Sequence, residues 1–244
     1  MIDVEHLSKF YDGQKAVSDL SFRVEPGEVL GLVGPNGAGK TSTLRCLAGI
    51  LPATEGSIRI AGYDLATAAM AAKRELAFFA DEPRLFDYLT VAQHLEFTAR
   101  LYQVADGKAL AASLLEEFDL ADKAAKLPGE LSRGMKQKVA IACGFLHTPK
   151  VMFFDEPLTG LDPLAIRRTK DSILRRAREG AAIILSSHLL HLLEEVCTHV
   201  LILKRGVKIA DGTLAEIRTE YAGPEGTRSL EDIFLQLVGG EAES

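Results

Sequence analysis

The segment LVGPNGAGKTSTL, Leu32 to Leu44, sets Gly34, Gly39, Lys40 and Thr41 at the spacing G-x-x-x-x-G-K-[ST]. That spacing suits the holding of a phosphate chain. Glycines let successive backbone N–H groups converge on an anion, and a helix starting beneath them adds the partial positive charge of its N-terminus. Lys40 is placed to reach the β- and γ-phosphates of a nucleotide, and the Thr41 hydroxyl to ligate Mg²⁺ beside them. Pro35, Asn36, Gly37, Ala38 and Ser42 complete the loop. A second cluster, Asp155 and Glu156, ends the apolar run VMFFDEP. Asp155 suits the same metal, directly or through a water, and Glu156 suits a general base that polarises an attacking water. Together Lys40, Thr41, Asp155 and Glu156 supply the charge neutralisation, metal ligands and base that a nucleoside triphosphatase requires.

A third stretch, LSRGMKQK from Leu131 to Lys138, reads as a helix start. Ser132 caps it, Gly134 leaves its first turn open, and Lys136 and Lys138 add positive charge, so it forms a second anion site. One nucleotide cannot fill two phosphate sites far apart in one chain. It can lie between the glycine loop of one subunit and the helix N-terminus of another.

Strands and helices must position these groups. EVLGLVG before the loop is a continuous apolar run, as expected of a buried parallel strand, and KTSTLRCLAGIL after it has helical spacing. IDVEHL, AVSDLSFRV and GSIRIAG read as earlier strands, and ELAFFA as a sheet strand preceding Asp81. From about Leu89 to His147 the periodicity is helical. TVAQHLEFTARLYQV opens on Thr90 as N-cap, ALAASLLEEFDL follows, and SRGMKQKVAIACGFL is the third helix. After Pro149 the αβ rhythm returns: KVMFFDEP a strand, PLAIRRTKDSILRRAREG a helix with Pro163 in its first turn, AAIILSSH a strand and LLHLLEEVC a helix. HVLILKRGVKIADG reads as a hairpin turning at Arg205-Gly206. A mostly parallel sheet interrupted by a helical insertion is expected. The tail GGEAES has a disordered composition.

The 244 residues, 47% hydrophobic, suffice for one large domain or two small lobes. The net charge of −6, with scattered Lys and Arg, argues against a broad nucleic-acid surface, and no nucleic-acid partner is expected. Cys46, Cys143 and Cys197 form no disulfide framework, and His188, His191, Cys197 and His199 fit no common zinc spacing. The longest apolar runs fall short of a membrane span, and MIDVEHLSKFYDG lacks a signal-peptide pattern. A cytoplasmic chain is expected, one that works at a membrane only if a partner supplies the spans.

The order and combination of these motifs resemble the ATP-binding subunit of an ABC transporter over essentially the whole chain. Gly34 to Ser42 look like the family's P-loop, Leu131 to Gln137 like its signature and Val151 to Glu156 like its Walker B strand. TGLDP with Asp162 is similar to its D-loop, His188 in SSHLL to its switch histidine, and Tyr11 in SKFYDG to its adenine-stacking aromatic. The resemblance implies an α/β fold: a P-loop NTPase core with a mostly parallel sheet, an N-terminal antiparallel β subdomain and an inserted α-helical subdomain. The corresponding division is 1–82 and 148–212 for the core with its β subdomain, 83–147 for the helical insertion, and 213–244 for a C-terminal helical extension and tail.

The resemblance also implies an assembly, a homodimer or a heterodimer with another ATP-binding subunit. Two subunits would sandwich two ATP molecules head to tail, with Ser132 and Gly134 acting across the seam, Asp162 at the seam and His188 on the γ-phosphate. The helical insertion would dock a separately encoded transmembrane permease at the cytoplasmic face of the membrane. Two stretches depart from the family pattern: in the signature, Arg133 and Met135 stand where a glycine and the glutamine of the common wording stand, and in FADEP, Asp81 stands where a glutamine is usual. The signature wording resembles exporter subfamilies, and Asp81 is expected to interact with the metal's water shell. The alternative is a soluble ATPase of the same family acting on DNA or ribosomes. Such members usually carry long coiled-coil insertions, zinc modules or tandem cassettes, which this sequence lacks.

Overall fold

The computed structural model describes residues 1–221 and 228–239. The tail expected to be disordered lies outside these residues from 240 onward. The chain opens with β1 (Ile2–Tyr11) and β2 (Gln14–Val24), joined by Asp12 (φ 47°) and Gly13 (φ 80°). Two successive positive φ angles are the signature of the turn whose twist suits a hairpin. Next come β3 (Val29–Val33), α1 (Lys40–Leu47), β4 (Glu55–Ile60), β5 (Tyr63–Asp64), α2 (Ala69–Arg74) and β6 (Leu76–Phe79). The helical stretch holds α3 (Val91–Leu101), α4 (Gly107–Glu117) and α5 (Arg133–Phe145). Then β7 (Val151–Asp155), α6 (Pro163–Arg178), β8 (Ala182–Ser186), α7 (Leu190–Val196), β9 (His199–Lys204), β10 (Val207–Thr213), α8 (Leu214–Tyr221) and α9 (Leu230–Gly239) complete the order.

The strands form two sheets. One is antiparallel in the order β2-β1-β4-β5; the other runs β10-β9-β3-β8-β7-β6, parallel from β9 to β6 with β10 antiparallel at its edge. The larger sheet is buried on both faces, which explains its unbroken apolar strands. Alternate side chains enter different cores. Val29, Met152, Phe154, Ile183 and Leu185 face the α3–α9 side, while Leu30, Leu32, Phe153 and Ile184 face α1 and the smaller sheet.

The expected Arg205-Gly206 hairpin is present, with φ of 49° and 79°. It reaches beyond its own sheet: Gly206 N–H donates to Ala38 O at 3.0 Å and Gly206 O accepts from Ser18 N–H at 2.8 Å. A Cβ at Gly206 would stand 2.7 Å from Ala16 O. One turn thus ties the smaller sheet to the glycine loop.

Helix α5 lies against β6. Phe79 stacks on Phe154 with centroids 4.3 Å apart and meets the edge of Phe145 at 5.5 Å. Gly144 makes this approach possible, since a Cβ there would lie 2.2 Å from the Phe79 ring. Thr90 and Gln93 form a reciprocal capping box on α3, with Thr90 N–H donating to Gln93 Oε1 at 2.8 Å. Between α4 and α6, the Glu117 carboxylate accepts from the Ser172 hydroxyl, and from Arg175 at 2.6 Å and Arg176 at 3.3 Å. Burial alone would raise the Glu117 pKa, but Ser172 and the two arginines hold it below the usual range.

The short strand Tyr63–Asp64 and the helix Ala69–Arg74 carry no recognisable periodicity. In the helix only Ala72 is buried, so no apolar stripe marks it.

Candidate nucleotide-hydrolysis site

The strand–loop–helix order expected around Gly34 is β3, the loop and α1. Its glycines are required by contact as well as conformation. A Cβ at Gly34 would fall 2.6 Å from Leu203 O, and one at Gly39, where φ is 103°, would fall 2.4 Å from Ala16 O. The loop is pressed onto the β9 and β2 backbones, which leave no room for a side chain at either position. Lys40 Nζ curls over it, donating to Gly34 O at 2.6 Å and Pro35 O at 3.3 Å. Burial lowers the Lys40 pKa, while Glu156 and Asp155 pull it upward.

Asp155 and Glu156 stand at the carboxyl end of β7, beside the loop. Thr41 donates its hydroxyl to Asp155 Oδ1 at 3.2 Å, and Ser186 donates to the same oxygen at 2.9 Å. Asp155 pairs across the sheet with Ser186, which ends β8. Ser186 Oγ also accepts from Glu156 N–H at 3.2 Å. Sequence reasoning passed over Ser186. The signal was a polar residue closing an apolar strand next to the Asp155 strand. Glu156 has φ 52°, a left-handed backbone uncommon for a non-glycine residue and typical of over-determined functional sites. Its Oε2 accepts from His188 Nδ1 at 2.8 Å and from His188 N–H at 3.2 Å.

The loop, Asp155, Glu156 and Tyr11 line one open cavity of about 410 Å³. Tyr11 ends β1, donates to Ser42 Oγ at 3.4 Å and lies 5.1 Å from the Lys9 ammonium. Asn36, Gly37, Ala38 and Gly39 share this lining. Thr41 and Asp155 place two hard oxygen donors together, and among the described residues no cluster of three or more His, Cys, Asp or Glu side chains could hold a metal. That donor set fits Mg²⁺, which is usually held by few protein oxygens plus substrate phosphates.

The other expected site residues lie outside this cavity lining. Ser132 is the N-cap of α5, its hydroxyl accepting from Met135 N–H at 3.3 Å. Gly134 faces Gly160 O, which a Cβ would approach to 3.0 Å. Asp162 caps α6 by accepting from Ala165 N–H at 2.9 Å, and that bond holds its carboxyl below the usual pKa. Asp81 accepts from Arg133 at 2.9 Å, a partnership 52 residues apart that no sequence signal announced.

A family model described as ABC transporter matches residues 17–159. The ABC-type transporter ATP-binding protein EcsA of Bacillus subtilis (strain 168) is 33% identical, over 99% of this chain and 98% of its own. The Nod factor export ATP-binding protein I of Burkholderia thailandensis is 36% identical, over 95% of this chain and 80% of its own. A solved ATP-binding subunit of an ABC transporter superposes with a TM-score of 0.92 at 36% identity, covering 97% of this chain and 99% of its own. The cradle, the Asp155–Glu156 strand end and these likenesses agree: the chain belongs to the ABC transporter family, as one of its ATP-binding, ATP-hydrolysing subunits.

Proposed function

We propose that the chain drives an exporter by ATP-dependent closure of a dimer at the cytoplasmic face of a membrane. The observation that carries this reading is the separation of two unlike half-sites. Asn36–Ser42 with Asp155 and Glu156 line one cavity, while Ser132 and Gly134 present a capped helix N-terminus elsewhere. Each ATP would lie between the cradle of one subunit and the α5 turn of the other, with Asp162 at the seam. The base would stack on Tyr11, and Lys40 would face the β- and γ-phosphates. Thr41 and Asp155 would hold Mg²⁺, which supplies charge stabilisation to the phosphates when bound. Glu156 would take a proton from the attacking water, with its other oxygen held by His188, whose ring would meet the γ-phosphate. Hydrolysis removes the shared phosphate and reopens the dimer.

No helix of the described residues is long and apolar enough to cross a membrane, and in this reading a partner would supply the transport path. The insertion 83–147, which we take as a lobe distinct from the core, offers a docking groove of about 540 Å³ between it and β6, with Ile50 and Lys73 at its core side. Ile50, Phe86, Phe97 and Leu101 expose apolar side chains in this part of the surface, a composition suited to a helix presented by a permease. The likeness to a Nod factor export subunit supports the export direction. Isolation from detergent-solubilised membranes tests the reading. A multi-span protein is expected in fixed proportion to the chain. Recovery of the chain free of any membrane protein, or bound to DNA or ribosomes, overturns it.

A further inference from the structure

The start of α5 gathers positive charge where its own dipole already supplies it. Arg133, Lys136 and Lys138 occupy its first two turns, and its first turn holds no acidic residue. Among the described α-helices only α8 and α9 place carboxylates in that turn, Glu216, and Glu231 with Asp232, the arrangement the dipole favours; what sets α5 apart is the positive charge gathered there. A carboxylate from another element meets that charge. Asp81, two residues beyond β6, accepts from the Arg133 guanidinium at 2.9 Å.

This bridge is a weak one. Both side chains are about half exposed, at 52% and 51%, and ion pairs so exposed contribute little and exchange readily. The remainder of α5 does not depend on it. Gly144 seats that helix on Phe79, and Gln137 donates to Ala80 O at 3.4 Å. The bridge therefore governs the Arg133 side chain and the beginning of the segment that runs through Phe86 to α3.

We propose that Arg133 and Asp81 are an exchange pair: the Asp81 carboxylate holds the guanidinium in the open chain, and a phosphate of the partner subunit's nucleotide takes it in the closed dimer. This rests on the composite site proposed above. A guanidinium fork binds phosphate through two parallel hydrogen bonds. The phosphates carry more negative charge than one carboxylate, and they arrive along the α5 dipole, so they win the exchange. Asp81 is then released. It stands just past the β6 end, beside the β7 end that carries Asp155. The segment after β6 lines the groove between core and helical stretch at Glu82, Arg84, Leu85 and Phe86. Occupancy of one subunit's cradle is in this way reported to the docking groove of the other.

The alternative is a fixed strut, in which the bridge merely props the α5 turn, and the two differ in sign. In a Glu156→Gln chain, the ATP concentration for half-maximal dimerisation is read by light scattering. Exchange predicts that Asp81→Asn lowers it about two- to five-fold, the scale of an exposed ion pair. Arg133→Gln raises it about ten-fold, the scale of one charge-assisted hydrogen bond, and the double variant matches Arg133→Gln alone. A strut predicts that both single variants raise it. As a second readout, amide exchange in residues 81–86 accelerates on ATP addition, and is already fast without ATP in Asp81→Asn. Same-sign shifts, or no shift, in a parent that dimerises on ATP overturn the exchange and leave the composite site standing. A parent indifferent to ATP overturns both.

Discussion

The loop Gly34–Ser42 and the first turn of α5 both offer a helix N-terminus to an anion, yet the chain holds them differently. The loop is walled by backbone. Ala16 O stands behind Gly39, Leu203 O behind Gly34, and the Gly206 turn bonds Ala38 O. The α5 turn has one close backbone neighbour, Gly160 O beside Gly134, and one exposed ion pair. A group pre-formed at the moment of reaction needs no reorganisation, so the rigid half suits the chemistry. The adjustable half suits a contact made and broken in each cycle. A single chain thus carries one finished half-site and one that waits for another molecule.

Removing the base from the finished half gives the largest expected effect. Glu156→Gln lowers the hydrolysis rate by roughly 10²- to 10⁴-fold, the usual share of general-base catalysis, while ATP binding persists. Single-turnover hydrolysis alongside nucleotide binding measures both, and a parental rate assigns the base elsewhere. Lys40→Ala acts on binding within the same half. It weakens ATP affinity by about 10- to 100-fold, the worth of a charge-assisted contact to phosphate, as read by titration with a fluorescent nucleotide. Near-parental affinity would remove Lys40 from the cradle.

The comparison sharpens when the halves are mixed. Ser132→Arg blocks the α5 turn and Lys40→Ala the cradle. A heterodimer of the two variants keeps one intact composite site, so the mixture hydrolyses ATP several-fold faster than either variant alone. A mixture no faster than its components, with heterodimers demonstrated, places both anion sites on one chain. The smallest expected effect concerns what joins the halves. Gly144→Ala forces α5 away from Phe79 and costs about 1–3 kcal/mol of stability, as overpacking typically does. Denaturant unfolding measures it, and an unchanged midpoint would show that α5 shifts freely on β6.

Much of this was legible in residue order because it is local. The glycine spacing, the apolar strand ahead of Asp155 and the caps Thr90 and Ser132 each announce themselves within a few positions. The Arg205-Gly206 turn is equally local, since two left-handed residues between apolar strands leave little other choice. What escaped depends on contacts across the chain. Asp81 and Arg133 were each marked as departures from the family pattern, yet nothing in a linear sequence says that they face one another. Ser186 became meaningful only when β7 and β8 were paired in register. The Glu117 cluster joins α4 to α6 through Ser172, Arg175 and Arg176, and in the sequence it reads as ordinary charged helix surface.

The left-handed backbone at Glu156 has a consequence for anyone improving this protein by directed evolution. A glutamate at φ 52° is under local strain, of order 1 kcal/mol or more, that glycine or asparagine would relieve. Selection for heat resistance would therefore reward Glu156→Asn, and Glu156→Gly to the extent that relieved strain exceeds the chain entropy glycine adds to the unfolded state. The hardiest survivors of such a library would bind nucleotide and stop there. A screen meant to keep the motor running must score turnover together with survival.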